Sequence, residues 1–205
     1  MTTSSRLIEV LVFSWHHFLS PTEYLERHFE HRFPLLSTTI NTCRQMDRHI
    51  VQILTHACQL GYVYVVVESS FDAFELQLNT YFPRTARWLE MYAAALPLEF
   101  VFDTIKTTKD KMYDTMLRAI WQQTREYGDI GLTIFGPEAL QQACARMSNI
   151  FSIVPKTINS TEQTSSLQHI LTRLLNVDAN LNAIVQDGIS TDMSIHNIEQ
   201  RIVHL

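Results

Sequence analysis

The sequence predicts an α/β fold, with a mostly parallel sheet of about five strands and helices on both faces. Short apolar runs rich in β-branched residues alternate along the chain with stretches whose apolar residues recur every three or four positions. Strands that alternate with helices run parallel, because each crossover helix carries the chain back to the end of the sheet where it began. The runs are continuously apolar rather than alternating, which marks strands covered on both faces.

Leu7 to Phe13 (LIEVLVF) reads as the first buried strand and Tyr62 to Val67 (YVYVVV) as the second. Between them Ile40, Cys43, Ile50, Val51, Leu54, Ala57 and Cys58 fall mostly at helical spacing, and Gly61 stands where a helix C-cap would be. Helical patterns around Phe71 to Tyr81 and, after Pro83, from Arg84 to Ala95 lead to a third strand, Leu98 to Phe102. A long helix from about Lys109 to Tyr127 follows. Ile130 to Phe135 then reads as a strand, Pro137 to Met147 as a helix with proline in its first turn, and Ile150 to Val154 (IFSIV) as the last strand.

After Lys156 the composition turns polar (NSTEQTSS), which predicts a linker that caps a helix over Leu167 to Asn176. Residues 1–176 therefore form one α/β domain. Residues 177–205 carry sparse apolar positions (Leu181, Ile184, Val185, Ile195, Ile198, Ile202), the pattern of an appended helix or of a tail that orders on a partner.

Composition narrows the function. The 205 residues, 46% of them hydrophobic, suffice for one domain with a sizeable core. A net charge of -5 with scattered basic residues leaves no electrostatic footprint for nucleic acid. Cys43, Cys58 and Cys144 are an odd number without CxxC spacing, which argues against a disulfide framework or a thiolate metal site and fits a reducing, cytoplasmic setting. The first residues enter an apolar strand without room for a signal or transit peptide, so a mitochondrial location is the weaker expectation. No apolar run approaches the roughly 18 residues of a membrane span, so no membrane insertion is expected.

In doubly wound sheets chemistry sits at the carboxyl ends of the strands. The first strand ends in Phe13-Ser14-Trp15-His16-His17-Phe18-Leu19-Ser20-Pro21. This segment resembles the first motif of the haloacid-dehalogenase-like superfamily, in the FDWDDTLLP form of a group of protist proteins, with Phe13, Trp15, Leu19 and Pro21 matching. Further along, Leu60-Gly61 and the next strand resemble an LG-x-V-x-I-V-T-N segment, and Glu75-Leu76 and Phe82-Pro83 match positions downstream of it. Gly136 stands at the glycine of an S-I-G-D-S motif, and Lys156-Thr157-Ile158 resembles a K-T-[IV] stretch. The resemblance spans roughly residues 7–176 and implies a Rossmann-like domain with a small cap or none.

The same resemblance implies that the catalytic set is degenerate. The nucleophilic aspartate aligns with Ser14, the acid/base aspartate with His16, the phosphoryl-binding threonine with Val67 and a magnesium-binding aspartate with Pro137. Only a charge-stabilising lysine is retained, as Lys109 or Lys111. Magnesium needs carboxylate oxygens that serine and proline lack, and without them the phosphoenzyme route has neither nucleophile nor charge stabilisation. The expected protein is a pseudoenzyme without cofactor or metal, a structural or protein-interaction subunit of a larger intracellular assembly. The protist resemblance suggests a cytoskeletal one, flagellar or microtubule-associated.

Sharper readings compete with this one. Ser14 with His16 or His17 suggests a hydrolase with a non-standard nucleophile, yet residues two apart on a strand end share one side without triad geometry, and no G-x-S-x-G elbow is present. A small-anion sensor is the third alternative. His16, His17, His28 and His31 suggest zinc, but no cysteine or carboxylate completes the set, and solvated or capping histidines are the simpler reading. Trp15, Trp88 and Trp121 read as core rather than as a ligand cage. Glu23, Glu26, Arg27, Glu30 and Arg32 read as a solvated helix face.

Overall fold

The computed structural model describes residues 8–30, 37–102, 109–127, 130–148, 153–159, 166–186 and 192–194. In chain order these form β1 (Ile8–Ser14), a π-helical turn (Trp15–Leu19), α1 (Thr22–Glu30), α2 (Ser37–Leu60), β2 (Tyr62–Val67), α3 (Phe71–Tyr81) and α4 (Pro83–Tyr92). Then come β3 (Leu98–Phe102), α5 (Lys109–Thr124), β4 (Ile130–Gly136), α6 (Glu138–Ser148), β5 (Ile153–Asn159), α7 (Leu167–Gln186) and a short β6 (Asp192–Ser194). The strands form one all-parallel sheet in the order β3-β2-β1-β4-β5-β6. This is a Rossmann-like arrangement. The strand order reverses between β1 and β4, and the crevice at that reversal is where such sheets bind ligands.

β1 is central because both its faces are apolar. Leu11 and Phe13 enter one core layer, with α2, α3, α4 and α7, while Val10 and Val12 enter the other, with α5 and α6. Its register sets Phe13 against Val65 of β2 and against Phe135 of β4. Gly61 is required just before β2, since a Cβ there would lie 2.1 Å from the Glu9 carbonyl oxygen. At the start of α4, Phe82 offers no side-chain cap. Asp47 of α2 replaces it, accepting hydrogen bonds from the Arg84 and Thr85 amides at 2.8 Å each and from the Thr85 hydroxyl at 2.7 Å.

The last third of the chain departs from the sequence expectation in three places. The final long strand is residues 153–159 rather than 150–154, so it runs through Pro155 and contains Lys156-Thr157-Ile158. A proline is tolerated there because β6 pairs only with Thr157 to Asn159, leaving β5 a single neighbour at position 155. The sheet accordingly has a sixth, three-residue strand instead of about five in all.

The third departure concerns α7, which does not stop at Asn176. It continues to Gln186 and buries Val177, Leu181, Ile184 and Val185 in the same layer as Ile170 and Leu174. A domain boundary after Asn176 would cut this helix in half. The helix is held along its length by α2, through His49 Nδ1 to Asp178 Oδ2 at 3.2 Å and His56 to Asn182 at 3.2 Å. At its end the buried Lys156 ammonium donates to the Val185 carbonyl, placing a cation at the negative end of the helix. The pairing with α2 puts α7 on the face opposite α6, although both connections step the same way across the sheet. Two such steps have opposite hands, a rare exception to the crossover rule. Ile195, Ile198 and Ile202 lie outside the described residues.

Candidate functional site

β1, β2 and β4 bring the sequence-predicted positions to one end of the sheet. Ser14 closes β1, Val67 closes β2, and Pro137 follows Gly136 at the end of β4. Ser14 is fully buried, and its Oγ accepts from the His17 amide at 3.3 Å, capping the π-helical turn. That turn closes with the Ser20 amide donating to the Trp15 carbonyl at 2.8 Å. It takes the chain off the strand at Trp15, so His16 does not sit two residues along the same strand from Ser14 as the sequence suggested. Among the described residues no imidazole hydrogen-bonds to the Ser14 hydroxyl. Val67 is buried wall, and Pro137 lends its carbonyl to the amides of Leu140 and Gln141 at 3.0 and 3.2 Å, starting α6. Lys111 is exposed on α5, and the side chain of Lys109 lies outside the described residues.

His16 and His17 are partly buried, and each hydrogen-bonds to Glu68. The Glu68 amide donates to His16 Nδ1 at 3.1 Å, and His17 Nε2 lies 3.0 and 3.1 Å from the two Glu68 carboxylate oxygens. The Tyr113 hydroxyl of α5 donates to the same carboxylate. Sequence reasoning missed Glu68 and Tyr113. Glu68 was within reach, since it directly follows the second strand at the functional end, whereas Tyr113 lies 45 positions away with no local signal. The side chain of His28 and all of His31 lie outside the described residues, and among those described no group of three histidine, cysteine, aspartate or glutamate side chains converges. Glu23 and Glu26 are exposed, as a solvated face requires, while Arg27, Glu30 and Arg32 have no described side chains.

Both sides of the crevice at the end of β1 and β4 are filled. Phe18 turns back over the strand ends, with its ring 5.3 Å from Phe135 and 6.3 Å from Phe13, and Phe13 stacks on Phe135 at 4.5 Å. Arg173 of α7 covers Phe18, its guanidinium carbon 4.8 Å from the ring centre and its Nη2 donating to the Phe18 carbonyl at 2.8 Å. On the other side a Cβ at Gly136 would meet Leu140 at 2.8 Å and Ser14 at 3.3 Å, so the described residues pack closely at the two strand ends. Burial of the Arg173 guanidinium lowers its pKa to about 10, which still leaves it charged at neutral pH, and its Nε has no hydrogen-bond partner.

Trp15 anchors the turn to α3. It is fully buried, meets Phe74 and Phe82 edge-on at 5.0 and 5.5 Å, and donates through Nε1 to Gln77 at 2.6 Å. Gln77 in turn donates to Thr22, and Thr22 to Ser20. Trp15 and Trp88 are therefore core residues, and Trp121 is half-buried under Arg125. The two described cavities lie elsewhere. One, of about 230 Å³, opens between α3, α4 and β3; the other, of about 270 Å³, lies at the amino ends of β2 and β3. No helix among the described residues is long and apolar enough to cross a membrane. No protein-family model, no curated protein and no solved structure matches the chain.

Proposed function

We propose that the chain is a catalytically inactive α/β module that serves as a protein-interaction or structural subunit of a larger assembly. The observation that carries this reading is the filled crevice. Where a doubly wound sheet would hold its ligand, the hydroxyl at the strand end caps a helical turn and Phe18 and Leu140 occupy the two sides. An active phosphotransferase needs the opposite, an open strand end with a nucleophile facing a charge-stabilised oxyanion. The haloacid-dehalogenase-like resemblance of the strand-end motif would account for the loss of that motif's aspartates at Ser14, His16 and Pro137. The flagellar or microtubule-associated setting rests on that motif alone.

A second reading is favoured by one contact. The His17–Glu68 pair at 3.0 Å has the form of a base held by its orienting carboxylate, and a hydrolase or small-anion sensor would use it. One experiment separates the two. Purified protein is assayed with an aryl phosphate plus magnesium and with an aryl ester, in parallel with Ser14→Ala and Glu68→Gln. The pseudoenzyme reading expects no turnover above buffer in any of the three. Turnover that falls at least tenfold in Glu68→Gln would replace it with the hydrolase reading.

A further inference from the structure

An apolar groove opens between α3, α4 and β3. Phe71, Phe74 and Leu78 of α3, Leu89 of α4, and Phe100 and Phe102 of β3 form its walls and floor. Glu75 and Glu90 stand among its lining residues, and no basic residue does. Phe71 lines the groove and is 57% exposed, and Leu76, Met91 and Tyr92, outside its lining, are further exposed hydrophobic side chains on α3 and α4. An apolar groove left open to solvent is a candidate interaction surface. At about 230 Å³ the cavity falls below the roughly 300–1,000 Å³ of small-molecule sites. It spans Phe71 to Asn79 on α3, and eight steps of helical rise make about 12 Å, the length of two turns of a guest helix.

A segment with the complementary character exists in this chain. Ile195, Ile198, Ile202 and Leu205 recur at intervals of three, four and three, which places them on one stripe of a helix. Arg201 and Glu199 offset each other in this segment, and His196 and His204 add positive charge only when protonated, so it offers an apolar stripe with one arginine to a groove that is apolar and acidic. As a helix of eleven residues the segment would be about 16 Å long, too short to bring its whole stripe to the groove of its own molecule. Ile195 follows Ser194, the last residue of β6, and adjacent Cα atoms are about 3.8 Å apart. β6 and β3 are the opposite edges of a six-stranded sheet, five spacings of about 4.8 Å or roughly 24 Å apart.

We infer that residues 195–205 of one copy dock as an amphipathic helix into the α3–α4–β3 groove of a second copy. The contact is head-to-tail, because donor and acceptor surfaces lie on opposite edges of the sheet. Such contacts propagate into rings or filaments instead of closing as a two-fold dimer. The inference holds whether or not the strand-end crevice carries chemistry.

Full-length variants test it. Phe71→Lys blocks the acceptor groove and Ile198→Asp blocks the donor stripe; Phe71 is 57% exposed, and unchanged melting temperatures verify folding of both variants. By light scattering across a concentration series, the wild type is expected to exceed the 23.8 kDa monomer mass progressively, and each variant alone to remain at 23.8 kDa. An equimolar mixture of the two is expected to give one-to-one pairs, since one variant keeps an intact groove and the other an intact donor segment. A wild type that stays monomeric throughout overturns the inference. So does assembly by Ile198→Asp alone, or a mixture that stays monomeric. Should either variant fail to fold, Glu90→Lys and Arg201→Glu take its place: each is expected to weaken assembly at least tenfold alone and to restore it when combined in one chain, and failure of that restoration also overturns the proposal.

Discussion

The strand-end crevice between β1 and β4 and the groove beside β3 are both lined by phenylalanine, yet they have opposite relations to solvent. In the crevice Phe13, Phe18 and Phe135 cover one another and all are fully buried. In the groove Phe71 meets Phe102 at 5.5 Å and still leaves more than half its surface exposed. Trp15 meets Phe74 and Phe74 meets Phe102, and Trp15 and Phe74 share one core layer with Phe13, Phe18 and Phe135. The difference teaches where to look for function: the centre of the sheet is packed as core, and exposed apolar surface lies at its edge. Surface left exposed where neighbouring aromatics would cover it is the informative observation, because scattered exposed hydrophobics carry no such meaning.

The largest effect that would break this comparison belongs to Phe18→Ala. If Phe18 is core, truncation costs about 3–5 kcal/mol, as for other buried aromatics, and removes the ring beneath Arg173. Urea denaturation measures it. A loss under about 1 kcal/mol would mean that the crevice is not packed and that a ligand space exists there.

Asp47→Ala comes next, because it releases the wall of the groove without touching its surface. Two amides and one hydroxyl at the start of α4 lose their acceptor together, and the local Phe82 has none to offer. Losing a buried charged cap of this kind costs about 2–3 kcal/mol. Hydrogen exchange should show the first turn of α4 opening ahead of the sheet. Uniform loss of protection would instead make α4 part of the central core.

Much of the fold was legible in the sequence because continuous apolar runs and helical periodicity are local signals. β1, β2, β3 and β4 fall within a residue of their expected positions, and the central place of β1 follows from its two apolar faces. Pro155 misled the reading of β5, since whether a proline is tolerated depends on which neighbours a strand has, and that is a property of the sheet. The sequence reading separates the second half of α7 from the domain, as an appended helix or a partner-ordered tail, because its apolar positions are sparse, although Val177, Leu181, Ile184 and Val185 are buried in the domain's own core. At the candidate site the sequence located Ser14, Val67 and Pro137 at one end of the sheet. The commitments of those residues were invisible, because His17 to Glu68, Tyr113 to Glu68 and Arg173 to Phe18 join positions 45 to 155 apart.

Arg173→Met sharpens the comparison at smaller amplitude. A charge that covers the crevice from within, with one nitrogen unpartnered, carries a desolvation penalty that a similarly sized apolar side chain avoids. At pH 7 the variant is expected to be as stable as the wild type or more stable by about 1 kcal/mol. The pH dependence has a definite sign. Burial lowers the folded pKa to about 10, below the ordinary guanidinium value, so between the two the unfolded chain holds a proton that the folded one has lost. The wild type therefore gains stability as pH rises through that window, and the advantage of the variant shrinks above pH 10. Cys43 and Cys58 act oppositely, since burial pushes both thiols up to about 11 and the unfolded chain ionises first above about pH 9. Their contribution is common to both proteins and cancels in the difference. An advantage that does not change between pH 7 and pH 11 would show that the guanidinium is not buried as a cation.

The smallest expected effect is the most discriminating, and it belongs to Phe71→Ala. Phe71 has the same side chain as Phe18, but it is 57% exposed and loses on truncation only its edge contact with Phe102. At about 25 cal/mol per Å², the modest area it buries amounts to less than about 1 kcal/mol. The melting temperature should scarcely move, while the capacity to associate falls, because an exposed aromatic contributes to binding by covering surface that folding leaves open. Measuring both quantities on one protein separates core from interface without any assumption about the partner. If Phe71→Ala instead costs as much stability as Phe18→Ala, the groove is an imperfect part of the core and the contrast between sheet centre and sheet edge fails. If neither stability nor association changes, the exposed aromatics of α3 and α4 are surface of no consequence, and binding has to be sought on another face.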